Sequence, residues 1–91
     1  LVTRPLRFAG KKLVINYSTS AGGSVRVELQ DESGEPIPGF TLADSINLVG
    51  DAIEQPVSWT KGSDVSSLAG QTVRLRFVMQ EADLFAIQFR P

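Results

Sequence analysis

Ser66-Ser67-Leu68-Ala69-Gly70-Gln71-Thr72-Val73-Arg74-Leu75-Arg76-Phe77, followed closely by Ala82-Asp83-Leu84-Phe85-Ala86-Ile87-Gln88-Phe89, is the stretch that decides how this chain folds. Successive side chains of a β-strand point to opposite faces, so apolar residues at every second position mark a half-buried strand. Val73, Leu75, Phe77 and Met79 form one such row, and Phe85, Ile87 and Phe89 form another. The polar residues between them predict a short acidic turn joining two closing strands. Upstream, Asp64 to Gly70 reads as a single helical turn, with Ser63 or Asp64 as its N-cap and Gly70 as its stop.

The same pattern recurs toward the N-terminus. Residues 24–31 place Val25, Val27 and Leu29 inward and Arg26, Glu28 and Gln30 outward. Residues 13–18 place Leu13, Ile15 and Tyr17 on one face and Val14, Asn16 and Ser18 on the other. Between these strands, residues 19–24 are small and glycine-rich, with Gly22-Gly23 suited to a loop. Asn16-Tyr17-Ser18 matches the glycosylation tripeptide, but inside a strand this reads as a chance match. Residues 1–8 form a first strand that Pro5 confines to an edge, because proline cannot donate to a ladder. Asp31-Glu32-Ser33-Gly34-Glu35 is a polar reversal.

Residues 36–50 are irregular. Pro36, Pro38 and Gly39 forbid a long helix or a central strand, yet Ile37, Phe40, Leu42, Ile46, Leu48 and Val49 are too apolar for a free loop. They predict a long ordered connection, with a single turn around Thr41-Leu42-Ala43-Asp44. Strand character returns over residues 51–61 around Ile53, Val57 and Trp59, with Pro56 marking an edge or a bulge. The whole reads as one all-β domain over residues 1–91. Its expected architecture is a two-sheet antiparallel β-sandwich of jelly-roll or Greek-key type.

Composition narrows the function classes. The chain has 91 residues, 42% hydrophobic and 21% charged, as in an ordinary folded domain. It has neither a methionine at its start nor an apolar run near the ~18–20 residues a membrane helix requires. It reads as a segment of a longer protein, which puts any targeting signal outside it. A net charge of −1 gives no electrostatic footprint for nucleic acid, and the interspersed signs give none for a membrane surface. No cysteine and no histidine are present. Thiolate chemistry is excluded, and the commonest general base and transition-metal ligand are missing.

The serines therefore lack a histidine to activate them. Asp44, Asp51, Asp64 and Asp83 all fall in connections, where carboxylates most often cap turns. A glycosidase would need two of them about 5–10 Å apart across a cleft, which a domain this small has little wall to build. No enzymatic activity and no cofactor are expected. Calcium is the one metal that needs neither histidine nor cysteine, and Asp31, Glu32 and Glu35, or Asp44 and Asp51, are its only candidate carboxylates. Their spacing is sparse, so solvated or capped turns are the preferred reading. Arg26, Glu28, Arg74 and Arg76 alternate with core positions and share outward faces. They form either a cross-strand ladder or a docking surface for a neighbouring domain. Trp59 and Tyr17 share faces with core residues, while Phe40 stays open as an exposed aromatic.

Several short pieces together carry a family resemblance. They are Thr3-Arg4-Pro5-Leu6, Ser20-Ala21-Gly22-Gly23-Ser24-Val25-Arg26-Val27-Glu28, Pro38-Gly39-Phe40, Gly50-Asp51, Val57-Ser58-Trp59, Leu68-Ala69-Gly70, Val73-Arg74-Leu75-Arg76-Phe77 and Ala82-Asp83-Leu84-Phe85. The chain resembles the C-terminal β-sandwich modules that follow β-propellers in glycosidase-like proteins, of the kind found in glycoside hydrolase family 32. The resemblance implies a non-catalytic accessory role beside a neighbouring domain of the same chain, and export from the cytoplasm. It transfers no catalytic residue, because in such proteins the catalytic carboxylates belong to the propeller. A weak carbohydrate site of the domain's own is the alternative. The candidate ligand or interface residues are Asp44, Asp51, Arg74 and Arg76.

Overall fold

Two strands of unusual length, β1 (Lys12–Asp31) and β3 (Val73–Arg90), run antiparallel along nearly their whole extent in the computed structural model, which describes residues 2–20 and 22–91. A short strand, β2 (Asp51–Pro56), pairs with the first half of β1, giving an antiparallel sheet in the order β2-β1-β3. The chain is mostly β, and its one short helical element among the described residues is a 3₁₀ turn at Ser66–Leu68. The turn is shorter than expected and its N-cap position is held by Val65, not Ser63 or Asp64, although the Asp64 carboxylate accepts a hydrogen bond from the Ser66 N–H at 2.8 Å; Gly70 follows with φ +83°.

The strand lengths correct the sequence reading twice. Residues 19–24 were expected to be a loop between two strands, and residues around Glu81 a turn between two more. Both lie within continuous strands, directly opposite each other. Thr19 faces Ala82 and Ser24 faces Gln80, so residues 20–23 of β1 stand against the single Glu81 of β3. This is an enlarged β-bulge, which bends both strands without ending their pairing. Gly23 permits it, because a Cβ there would sit 2.7 Å from the carbonyl oxygens of Gln80 and Glu81. Glu81 takes φ +45°, a left-handed value that costs a non-glycine residue about 1–2 kcal/mol.

The bend lets both halves of β1 serve one core. Leu13, Ile15 and Tyr17 from before the bulge join Val25, Val27 and Leu29 from beyond it, with Val73, Leu75 and Phe77 of β3. Each aliphatic side chain so buried stabilises the fold by about 1.5–3 kcal/mol. Trp59 closes the core as expected. It is 1% exposed, its Nε1–H donates to the Val27 carbonyl at 2.9 Å, and its ring meets Phe40 edge-on at 5.1 Å. Phe40, left open by the sequence, is also buried, with the Lys61 ammonium 3.9 Å from its ring centre.

The connection over residues 36–50 is ordered, as its apolar content requires. It runs beside the second half of β1 and satisfies its backbone there. Leu29 N–H donates to Phe40, Ile37 N–H donates to Leu29, and Val25 and Leu48 exchange two hydrogen bonds of 2.9 Å. The turn around Thr41 to Asp44 is present. The strand expected over residues 1–8 does not form among the described residues: the segment meets β3 through isolated bridges at Val2–Arg76 and Leu6–Val73 and a Thr3 N–H bond to Leu75, at an edge as Pro5 requires. Leu1, where that strand was expected to begin, lies outside the described residues. Glu28 and Gln30 are a further correction. They were expected to face solvent, and the 36–50 connection leaves them 4% and 7% exposed.

Candidate functional site

The core-facing row expected over Phe85, Ile87 and Phe89 is only partly realised, and its failure creates the most distinctive surface. Asn16 of β1 faces Ala86, but Tyr17 faces Leu84, so Phe85 is an extra residue in β3. On the other side of β1, Ile15 faces Gln55 and Tyr17 faces Ala52, so Ile53 and Glu54 of β2 together oppose Asn16. Both neighbours of the central strand therefore bulge at the same level. The bulges leave Ile53 83% and Phe85 67% exposed. Phe89 keeps its expected role, stacking on Phe8 with ring centroids 4.1 Å apart, while Ile87 is partly exposed.

Glu54 holds the β2 bulge in a left-handed conformation, φ +55°, and its N–H donates to the Asn16 side-chain oxygen at 2.6 Å. Its carboxylate pairs with Arg90. Strained backbone of this kind persists only where surrounding contacts over-determine it, and it concentrates at functional surfaces.

Between Ile53 and Phe85 lies an open cleft of about 750 Å³, lined also by Asn16, Ser18 and Asp51. Asp51 Oδ1 accepts hydrogen bonds from the Ser18 hydroxyl at 2.8 Å and from the Thr19 N–H at 3.3 Å. Its other oxygen accepts none from the described residues. Tyr17 lies beneath, with its hydroxyl donating to the Val49 carbonyl at 3.0 Å. Burial raises the pKa of this phenol, and the Asp51 charge raises it further, so it stays a donor at neutral pH. The cleft thus has an aromatic and an aliphatic wall and a floor of one amide, one hydroxyl and one carboxylate.

The other residues singled out from the sequence do not converge on this site. Asp44 does not line the cleft; its carboxylate accepts from the Thr41 hydroxyl at 3.0 Å, closing the turn. Arg74 donates through Nε to the Glu32 carbonyl at 3.0 Å, and Arg76 lies 3.6 Å from the buried Glu28 carboxylate. These two arginines behave as members of a cross-strand ladder and as ties to the Asp31 reversal. Asp31 is occupied as well. Its Oδ1 accepts from the Ser33 hydroxyl and from the N–H groups of Ser33 and Glu35, which lowers its pKa. Among the described residues, no three acidic side chains are grouped to hold a metal ion. With Phe40 and Trp59 buried, neither provides an aromatic platform for a ligand.

Phe85 and Ile53 were missed because a bulge reverses the alternation that the sequence reading relied on. The one local signal is the adjacent apolar pair Leu84-Phe85, which breaks the period of two. Comparison of the chain with protein-family models, with curated proteins and with solved structures gives no match.

Proposed function

We propose that this chain is a non-catalytic accessory domain that docks against, and stabilises or positions, a neighbouring domain of the same polypeptide. The observation that carries the reading is the pair of aligned bulges, which hold Ile53 and Phe85 out of the core on a common face. Exposed large apolar side chains beside a polar rim are the composition of a protein contact rather than of a free surface. Asp44 and Asp64 are engaged in turns, which suits a structural role, while Asp51 and Asp83 lie in β2 and β3.

The sequence resemblance to modules that accompany β-propeller glycosidase-like proteins supports the same reading, together with a location outside the cytoplasm. The finer architecture belongs to it too. The bend at residues 20–23 and the single core shared by both halves of β1 favour a two-sheet sandwich of jelly-roll type over an open sheet. The test is to replace Ile53 and Phe85 by aspartate in the polypeptide that carries this domain beside its neighbour. Docking predicts that the neighbour loses thermal stability while the fold of this domain is kept. An unchanged neighbour would reject the role.

A second reading rests on the cleft itself. An exposed phenyl ring beside Asn16, Ser18 and Asp51 has the mixture of apolar wall and hydrogen-bonding floor that suits a neutral sugar ring. Calorimetric titration of the chain with neutral oligosaccharides tests it. Binding that vanishes in Asp51→Ala supports a glycan site, and no heat at millimolar sugar rejects it.

A further inference from the structure

The far edge of β3 divides into two parts. Its first part is covered by the N-terminal segment, through bonds from Thr3 and Leu6 to the carbonyls of Leu75 and Val73. Residues 80–89 are bonded through their backbone by β1 alone among the described residues. Beside this stretch lies an apolar hollow of about 210 Å³ to which Leu84, Phe85, Ala86 and Ile87 contribute. Of the devices that guard an exposed edge, proline and lysine are absent from residues 80–89, and the bulge at Phe85 is present.

The stretch is also self-complementary. Read from its start it is acidic (Glu81, Asp83), then apolar (Leu84, Phe85, Ala86, Ile87), then basic (Arg90). We infer that this edge pairs antiparallel with the same edge of a second copy of the chain, about a two-fold axis between Phe85 and Ala86. In that register Glu81 meets Arg90 of the second copy, Asp83 meets its Gln88, and Leu84 meets its Ile87. A parallel arrangement would set like charges side by side, which destabilises a strand pair. The two-fold makes both ends of the contact identical, as an isologous dimer requires. Arg90 already pairs with Glu54 of its own chain, and the five donors of a guanidinium leave it able to meet a second carboxylate. Phe85 borders both surfaces, but this pairing uses the backbone edge of β3 and does not rest on the docking role proposed for the face that carries Ile53 and Phe85.

Sedimentation equilibrium of the 91-residue chain from about 10 µM to about 1 mM tests it, a range suited to an interface below the usual ~1,600 Å². The expected result is a mass rising from 9.9 kDa toward twice that value. Glu81→Lys alone and Arg90→Glu alone each place like charges opposite one another, and each is expected to remain monomeric. Mixed in equal amounts they restore both charge pairs, and the dimer is expected to return. Circular dichroism confirms that each variant is folded. A wild-type chain that stays monomeric throughout overturns the inference, and this arm needs no variant. Dimers in the single variants, or a mixture that stays monomeric, overturn it equally.

Discussion

Glu28 is a carboxylate held almost out of water, and its partners show why the irregular connection stays in place. Its Oε2 accepts from the Gln30 amide at 2.9 Å, its Oε1 accepts from the Leu42 N–H at 3.3 Å, and Arg76 lies 3.6 Å away. Removing the carboxylate strands the Leu42 and Gln30 donors, each costing about 1–3 kcal/mol when buried and unpaired. Glu28→Ala is therefore expected to destabilise the fold by roughly 2–4 kcal/mol in urea titration. Arg76 is 45% exposed on its side chain, and water screens its charge. Arg76→Met is expected to cost about 1 kcal/mol or less. Equal losses from the two variants would show that the ion pair, rather than the hydrogen bonds to the connection, dominates.

Asp31 gives a pH signature at the same scale. Hydrogen bonds from Ser33 and Glu35 hold its folded pKa below the ordinary aspartate value of about 3.9. A depressed carboxylate contributes stability that is fully present above the unfolded value and is lost as pH falls through the folded one. Asp31→Asn is therefore expected to lower the melting temperature at neutral pH and to flatten its decline below about pH 4. An unchanged acid limb in the variant would contradict that role.

At the scale of elements, the bulge over residues 20–23 decides the shape, and its two glycines differ. A Cβ on Gly23 would collide with two carbonyl oxygens, whereas a Cβ on Gly22 meets nothing within 4 Å and suffers only from φ +80°. Gly23→Ala is expected to cost roughly 2 kcal/mol or more, and Gly22→Ala about 1 kcal/mol, in thermal or urea unfolding. The rows Val25, Val27, Leu29 and Val73, Leu75, Phe77 were legible in the sequence because nothing interrupts their period of two. The burial of Tyr17 and Trp59 was legible for the same reason. The continuity of β1 was not, because residues 19–24 have the composition of a loop. Only their pairing with distant residues 80–82 makes them part of a strand. Phe85 was misplaced because one inserted residue shifts every later side chain by one position, which local alternation cannot register. Of the four candidate ligand or interface residues, only Asp51 lines the cleft. Asp44 closes a turn and the two arginines serve the sheet.

For the whole molecule, a fold that bends two long strands around one core leaves its second half with apolar groups it has no core position to receive. In the docking role proposed above, those groups, Ile53 and Phe85, face the neighbouring domain. The decisive measurement is calorimetric melting of the polypeptide that carries this domain beside its neighbour, with and without Ile53→Asp and Phe85→Asp. As exposed residues, both changes are expected to shift the melting of the 91-residue chain alone by no more than about 4 °C. In the longer polypeptide, docking predicts a single coupled transition for the natural sequence and two separate transitions for the double variant, the neighbour's at lower temperature. One transition at the same temperature in both proteins would contradict it.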